Sequence, residues 1–188
     1  IREIILVVPQ NNLSIIKKTI SSLRNDKNVT VISGGRHRQD SVCEGLKRVS
    51  QSCNIVCIHD GARPFVSIEL IESTIRACVN IDGVVAAVKA TDTVKLVTRG
   101  SRVKKTLNRN KIWLAQTPQT FKKKELNKAL LSAQKKNIFG TDEAMIMEEM
   151  GYSVGIIEGS NRNIKITTRE DWRHAEAIMR LTSSEKNL

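Results

Sequence analysis

The sequence has few aromatic side chains and no long apolar run. It contains two tryptophans, one tyrosine and three phenylalanines in 188 residues, and these are not interleaved with basic residues as base-stacking platforms usually are. No run approaches the roughly 18 apolar residues that a membrane-spanning helix needs, and no charged-then-apolar leader opens the sequence. We therefore expect a cytoplasmic protein without a membrane partner, and general nucleic-acid binding is disfavoured.

Cysteine is also scarce, and its spacing matches no metal motif. There is no C-x-x-C pair, and all four cysteines have apolar neighbours: Cys43, Cys53, Cys57 and Cys78. Reduced, buried thiols fit this pattern better than a disulfide framework or a zinc site.

Positive charge is what the sequence has in excess. Lysine and arginine number 31 against 19 acidic residues, giving a net charge of +12. Such a surface attracts polyanions, which admits nucleotides, sugar phosphates or nucleic acid as ligands. With a hydrophobic content of 40 %, the length predicts one domain, residues 1–188, with a single core.

The first half of the sequence alternates short apolar runs with amphipathic stretches. This pattern predicts an α/β fold, a mostly parallel sheet flanked by helices. Strands are predicted at residues 4–8, 29–32, 55–58 and 84–88, and helices at 13–23, 40–49 and 68–79.

The alternation breaks at a basic hairpin signal. Two short β-prone segments, 94–97 and 102–107, surround Thr98-Arg99-Gly100-Ser101, which predicts a projecting β-arm at about 92–112. Beyond it we expect strands at 112–115, 154–157 and 163–166, and helices at 123–136, from 141 and at 168–181. Thr141 is predicted to cap the second of these helices, and Thr167 with Glu170 to form a capping box for the last.

Paired glycines follow the second predicted strand, in Ser33-Gly34-Gly35-Arg36-His37-Arg38. Glycine lets a backbone approach a ligand closely, and the helix start that follows offers free N–H groups. These features favour a contact between this segment and a base or a phosphate. A plain turn, with Asp40 or Ser41 as the N-cap, remains an alternative.

A carboxylate follows the third predicted strand, in His59-Asp60-Gly61-Ala62-Arg63-Pro64. The carboxyl edge of an open α/β sheet is where such folds bind ligands. Because Mg²⁺ favours one or two carboxylates together with phosphate oxygens, Asp60 alone could hold it on a triphosphate. Arg63 could bind phosphate or merely neutralise Asp60 in an Asx-turn, and we interpret His59 as structural.

Further candidates lie at the arm and near the end of the chain. Hydroxyls and one guanidinium, from Thr93, Arg109 and Thr117, could form a pocket for a phosphate monoester, or lie solvated on the arm. Lys165 lies between Ile164 and Ile166. As a strand residue it would point away from both and could stabilise a phosphoryl group in transfer, or lie at the surface.

These motifs occur in one order from about residue 4 to residue 177. They are Gly34-Gly35-x-x-Arg38-x-x-Ser41-Val42, His59-Asp60-x-Ala62-Arg63-Pro64, Asp92-Thr93, Arg109, Trp113, Thr117-Pro118-Gln119, Thr141-Asp142-Glu143-Ala144 and Asn163-Ile164-Lys165-Ile166-Thr167. The set resembles the 2-C-methyl-D-erythritol 4-phosphate cytidylyltransferases of the non-mevalonate isoprenoid pathway. The resemblance implies a Rossmann-like nucleotidyltransferase fold, a homodimer through exchanged β-arms, and Mg²⁺-dependent attack of the substrate phosphate on the α-phosphorus of CTP.

The resemblance also assigns roles by position. It implies catalytic roles for Lys165, Arg109 and Asp60, with Asp60 as the metal ligand and Arg109 reaching the neighbouring subunit's site. Nucleotide binding falls to Gly34, Gly35, Ser41, Asp60, Gly61 and Arg63, with Gly35 and Ser41 against the cytosine. Binding of the sugar phosphate falls to Thr93, Arg109, Thr117, Thr141 and Lys165.

One family motif is missing from the 188 residues. The family opens with a strand and a Gly-rich loop, A-A-G-x-G-x-R-M followed by P-K-Q, which cradles the triphosphate. We therefore expect the sequence to be a fragment or to omit upstream residues. Without that segment a middle strand of the sheet would be absent, and each lost electrostatic contact would cost about 10²–10³ in rate.

Three other functions stay open from the sequence. Ribitol-5-phosphate cytidylyltransferases share most of these motifs, and comparing CDP-methylerythritol with CDP-ribitol formation separates the two. A non-catalytic nucleotide-binding remnant would show no turnover. A basic RNA-binding module would give a salt-sensitive gel shift that cytidine does not compete away.

Overall fold

A computed structural model describes residues 1–23 and 28–185 of the chain. These residues form two compact units, one from Ile1–Val56 with Phe121–Ser153 and one from Cys57–Thr120 with the chain from Val154 onward. The single domain expected over residues 1–188 stays a prediction.

Strands and helices alternate along most of the described chain. In order they are β1 (Glu3–Val8), α1 (Leu13–Ser22), β2 (Asn28–Ser33), α2 (Arg38–Leu46), β3 (Ile55–Ile58), α3 (Ile68–Ala77), β4 (Gly83–Lys89), β5 (Lys95–Val97), β6 (Val103–Thr106), β7 (Trp113–Lys122), α4 (Lys123–Lys135), α5 (Glu143–Glu149), β8 (Val154–Glu158) and α6 (Arg169–Glu185). None of the helices in the described ranges combines the length and apolar character required to cross a bilayer.

The first unit joins a parallel strand pair to four helices. β1 and β2 pair in parallel, from Glu3 opposite Asn28 to Val8 opposite Ser33, and α2 packs on β1. α4 and α5 pack against each other around side chains that are almost fully buried: Leu126, Leu130, Ile146 and Met147.

The second unit has its core on β4. A four-stranded sheet has the order β3, β7, β4, β8, and β4 pairs in parallel with β8. Val84, Ala86 and Ala87 of β4 are at most 1 % exposed, because helix α3 packs over this strand. β5 and β6 form a separate antiparallel hairpin, and the residues of both strands are exposed.

The described elements confirm most of the predicted pattern and correct parts of it. The parallel pairs and the basic hairpin are as predicted, with β3 at its predicted bounds. β7 extends to Lys122 rather than ending at residue 115. Residues 163–166 are not a strand, because the Asn163 N–H turns back onto the Ser160 carbonyl at 3.0 Å.

Two predicted helix caps are displaced by one residue. Asp142, rather than Thr141, caps α5 by accepting from the Met145 N–H at 2.9 Å. At α6 the reciprocal bonds join Thr168 and Asp171 instead of Thr167 and Glu170. At α5 a carboxylate replaces the expected hydroxyl, and at α6 the shorter Asp171 replaces Glu170, because a short acidic side chain reaches the free N–H groups of a first turn well.

Candidate active site

The turn after β3 in the second unit carries the first candidate residues. β3 ends at Ile58, and the Arg63 N–H closes a turn onto the Asp60 carbonyl at 2.9 Å. This turn holds the Asp60 side chain mostly buried, with 16 % of it exposed. A carboxylate with so little access to water interacts strongly with any nearby charge.

Lys165 supplies that charge. Its Nζ lies 2.8 Å from Asp60 Oδ2, and 43 % of its side chain is exposed. The Ile166 N–H donates to the Ala62 carbonyl at 2.8 Å, which holds the segment of Lys165 against the turn. The lysine thus reaches the carboxylate from an extended segment and not, as predicted, from a strand.

Thr117 and His59 fix the backbone of the same turn. The Asp60 N–H donates to Thr117 Oγ1 at 3.0 Å, and this oxygen lies 3.0 Å from His59 Nδ1. His59 Nε2 lies 2.9 Å from the Arg63 carbonyl. A carbonyl can only accept, so Nε2 carries the proton, and in a neutral ring Nδ1 accepts from the Thr117 hydroxyl. The contacts of His59 therefore position two candidate residues, Thr117 and Arg63.

Arg63 is tied to the segment that precedes Lys165. Its Nη1 donates to the Asn163 carbonyl at 2.7 Å, and the fully buried Asn163 donates from Nδ2 to the Thr117 carbonyl at 2.8 Å. Burial lowers the pKa of Arg63, while nearby Asp60 acts in the opposite direction. Arg63 Nε is buried with no hydrogen-bond partner among the described residues, so the N–H of this atom remains available to an acceptor.

We call this group the Asp60 cluster: His59, Asp60, Arg63, Thr117, Asn163 and Lys165. Within the described ranges no group of three or more His, Cys, Asp or Glu side chains could hold a metal ion. A single carboxylate suits Mg²⁺ when substrate phosphate oxygens and waters supply the other ligands. The cluster combines that carboxylate with two cations and a hydroxyl, which suits chemistry at a phosphate.

The paired glycines lie in the first unit, between β2 and α2, and we call residues 34–37 the glycine turn. The Gly35 N–H donates to Ser41 Oγ at 3.2 Å, and Ser41 Oγ donates to the His37 carbonyl at 3.1 Å. The Asp40 carboxylate accepts from the His37 N–H at 3.0 Å. The predicted turn therefore packs closely on the start of its helix.

Gly61 lies in the turn after β3, between Asp60 and Arg63, and three other predicted residues lie elsewhere in the chain. Thr93 and Arg109 are exposed, one on each side of the β5–β6 hairpin, and Arg109 Nη1 donates to the Thr91 carbonyl at 2.6 Å. Thr141 is an exposed residue of the first unit whose hydroxyl lies 3.7 Å from the Met145 sulfur. The expected roles of these three residues at the sugar phosphate stay predictions.

Two residues of the Asp60 cluster carried no predicted role in the site. The sequence places Asn163 only within a motif and favours a structural interpretation of His59. Both contact Thr117, which is remote in sequence from each of them. Only the pairing of β7 beside β3 reveals their contacts.

Comparison with known proteins identifies one family. The model of the family described as IspD, 2-C-methyl-D-erythritol 4-phosphate cytidylyltransferase, matches residues 1–181. The curated protein of that name from Clostridioides difficile (strain 630) is 41 % identical over 186 residues, covering 99 % of this chain and 78 % of that protein. Its counterpart from Alkaliphilus oremlandii is 43 % identical over 181 residues, covering 96 % of this chain and 77 % of that protein.

A solved structure gives the same result. The crystal structure of 4-diphosphocytidyl-2C-methyl-D-erythritol synthase from Anaerococcus prevotii superposes with a TM-score of 0.89 at 35 % identity. The match covers 96 % of this chain and 82 % of that one. The predicted fold class, a Rossmann-like nucleotidyltransferase fold, is confirmed by this likeness.

Proposed function

The chain belongs to the 2-C-methyl-D-erythritol 4-phosphate cytidylyltransferase family, and we propose that it makes CDP-methylerythritol for isoprenoid precursor synthesis. A phosphate oxygen of methylerythritol phosphate attacks the α-phosphorus of CTP. The bond from that phosphorus to the bridging oxygen breaks, and pyrophosphate leaves. The observation that carries the proposal is the 2.8 Å ion pair of Asp60 and Lys165 at the turn after β3.

Lys165 has the position and charge to stabilise the phosphoryl group during transfer. Its ammonium is fixed by Asp60 yet remains 43 % exposed, so a phosphate oxygen can approach it from solvent. A fixed cation placed where negative charge develops lowers the barrier, because it needs no reorganisation during the reaction. Lys165 is therefore assigned to both the sugar phosphate and the reacting phosphorus.

Asp60 is the residue that would hold Mg²⁺. Its mostly buried carboxylate is the kind of hard oxygen ligand that Mg²⁺ prefers, with phosphate oxygens as further ligands. When bound, Mg²⁺ supplies charge neutralisation on the triphosphate. In this reaction Asp60 would therefore exchange part of its contact with Lys165 for the cation, leaving the ammonium to the substrate.

Arg63 and Thr117 complete the anion-binding side of the Asp60 cluster. The unpartnered N–H at Arg63 Nε is a donor for a phosphate oxygen. The Thr117 hydroxyl, which donates to His59 and accepts from the Asp60 N–H, shapes the site. His59 fixes both, through Thr117 Oγ1 and through the Arg63 carbonyl. We assign Arg63 to the nucleotide and Thr117 to the sugar phosphate, with Gly61 beside the nucleotide.

In the first unit, the glycine turn and Ser41 are assigned to the nucleotide. The Gly35 backbone and the Ser41 hydroxyl offer polar groups that can recognise the edge of a cytosine ring, and Gly34 gives the backbone its close approach. Thr141, at the exposed start of α5, is assigned to the sugar phosphate. These roles follow the family motif position by position.

A homodimer through the β5–β6 hairpin is part of the proposal. The hairpin exposes apolar side chains on both strands, with Leu96 at 43 %, Val97 at 54 % and Val103 at 60 %. An isolated two-stranded hairpin is marginal in water, and apolar residues of this kind gain stability by packing on a partner. Thr93 and Arg109, which flank it, would then lie at the subunit contact and bind the sugar phosphate.

Turnover tests the proposed function directly. The protein is incubated with CTP, Mg²⁺ and either 2-C-methyl-D-erythritol 4-phosphate or D-ribitol 5-phosphate, and pyrophosphate release is followed. We expect kcat/KM to be at least about 100-fold higher for methylerythritol phosphate, because the hydrogen bonds of a polar pocket reject the wrong partner strongly. Equal rates, or turnover of ribitol phosphate alone, would contradict the assignment.

A further inference from the structure

A fully buried carboxylate lies outside the Asp60 cluster. Glu143, the first residue of α5, is 0 % exposed, and both of its carboxylate oxygens accept from Arg38 Nη1 at 2.7 Å. Burial raises the pKa of Glu143, and the Arg38 charge opposes that rise. A buried charge of this kind persists only where a partner compensates it, so the geometry of the pair is tightly constrained.

The pair belongs to a larger attachment between α2 and the segment before α5. Gln39 Nε2 donates to the Ile138 carbonyl at 3.4 Å, and Gln39 Oε1 accepts from the Gly140 N–H at 3.3 Å. The His37 ring packs edge-on against Phe139, with centroids 5.8 Å apart. Consecutive residues at the start of α2 are thereby joined to one segment of the first unit.

The same start of α2 sets the shape of the glycine turn. A Cβ on Gly34 would lie 2.5 Å from Ser41 Oγ, and one on Gly35 would lie 2.3 Å from Asp40 Cβ. The turn and the first turn of the helix therefore cannot move independently. Any displacement of the helix start displaces the Gly35 N–H and Ser41 Oγ.

Of the two helices that the ion pair joins, α2 is the less firmly held. Its nine residues bury only Gly45 and Leu46, at the end far from Arg38. The seven residues of α5 bury four, including Ile146 and Met147. Loss of the ion pair would therefore release the start of α2, while α5 stays anchored in the core.

We propose that Arg38 and Glu143 are positioning residues that fix the first turn of α2 and thereby the nucleotide-binding shape of the glycine turn. This rests on the proposed function, which assigns that turn to the cytosine of CTP. Neither residue needs to touch the nucleotide. The Arg38–Glu143 ion pair strengthens the binding of CTP, whereas the rate of the chemical step at the Asp60 cluster depends little on it.

The test measures KM for each substrate and kcat for wild type and Glu143→Gln. The variant keeps the shape of the side chain but loses the charge that orients Arg38. We expect the KM for CTP to rise about tenfold, since a charge-assisted hydrogen bond is weakened. We expect kcat and the KM for the sugar phosphate to stay within about threefold of the wild-type values. The matched control is Glu44→Gln, which breaks the exposed Lys47–Glu44 pair at the far end of α2 and should leave both KM values and kcat unchanged.

A double variant separates positioning from simple stabilisation. Replacing a buried ion pair with apolar residues is often neutral for stability, so Arg38→Met with Glu143→Leu should fold even if Glu143→Gln does not. Positioning predicts a wild-type melting temperature with the CTP KM still raised. A KM that recovers together with the melting temperature would overturn the proposal.

The failure of this proposal is distinguishable from failure of the proposed function. Wild type that turns over CTP and methylerythritol phosphate, beside a Glu143→Gln variant whose two KM values change equally or not at all, refutes only the positioning role. Wild type without turnover refutes the proposed function, and the positioning role falls with it.

Discussion

The three glycines assigned to the nucleotide differ in their surroundings. At Gly34 and Gly35 an added Cβ would collide with the start of α2, whereas at Gly61 it would meet nothing within 4 Å. Packing alone therefore accounts for glycine at the first two positions. At Gly61 the described structure gives no such reason, and the proposed function offers one, the approach of the nucleotide.

We predict that Gly61→Ala leaves the fold unchanged and weakens CTP binding. The free energy of unfolding should stay within about 0.5 kcal/mol of wild type, because the methyl group enters open space. The KM for CTP should rise about tenfold, since the methyl would occupy space that the nucleotide needs. Chemical denaturation and steady-state kinetics provide the two measurements.

Gly34→Ala serves as the contrasting variant. Its added methyl meets Ser41 Oγ, and overpacking of this kind costs about 1–3 kcal/mol of stability. A Gly61→Ala protein with an unchanged KM for CTP would remove Gly61 from the nucleotide site.

Single residues were predictable from sequence where a motif carried them. The motifs predict both Asp60 and Lys165 as site residues, and Lys165 Nζ lies 2.8 Å from Asp60 Oδ2. The contacts of His59 could not be predicted, because its partner Thr117 lies on another strand and a lone histidine has no sequence signature. The sequence also does not show why residues 34 and 35 must be glycine, because the reason is their close packing against the start of α2.

At the scale of elements, the start of α6 depends on one acidic side chain. The Asp171 carboxylate accepts from the N–H of Thr167 at 2.9 Å and of Thr168 at 2.8 Å, and from the Thr167 hydroxyl at 2.8 Å. These hydrogen bonds favour the charged form and lower the pKa of Asp171 from 3.8 to about 2. The cap is therefore strongest when the carboxyl group is ionised.

The sign of the resulting pH dependence follows from that lowered pKa. The stability that the Asp171 cap contributes is fully present above the unfolded pKa of 3.8 and is lost as the pH falls toward about 2. We predict that the melting temperature of wild type exceeds that of Asp171→Asn above pH 4, and that the difference narrows below it. Circular dichroism melts from pH 2 to pH 6 measure it.

Glu170→Gln is the matched control for that series. It removes one negative charge from the same first turn but leaves the Asp171 bonds in place. A difference between wild type and Asp171→Asn that stays constant across the range, or that equals the effect of Glu170→Gln, would contradict the cap.

Elements were predictable where burial imposed a clear pattern. β3 and β4 are short apolar runs between turns, so their positions followed from sequence. The second half of β7 could not be predicted, because proline disfavours a strand interior and Pro118 lies within this strand. The prediction of a strand at 163–166 was wrong, because alternating apolar residues also occur in extended segments without a pairing partner.

For the whole molecule, sheet order decides which motifs meet. β7 lies next to β3, so Thr117 of one strand reaches the Asp60 N–H just past the other. Neither the order of strands nor this contact follows from hydrophobic periodicity, which carries no information on pairing across long sequence separations. The family motifs predicted that Thr117 and Asp60 lie in one site only because the motifs come from proteins that share the fold.

The central claim is that Asp60 and Lys165 act as one catalytic unit in cytidylyl transfer. The most direct measurement is kcat/KM for CDP-methylerythritol formation by Asp60→Asn, Lys165→Met and the double variant. Each single change should lower it by about 10²–10³, and the double variant should be about as slow as the slower single one, because residues that act together are not additive. A single variant with wild-type activity, or losses that multiply in the double variant, would contradict the claim.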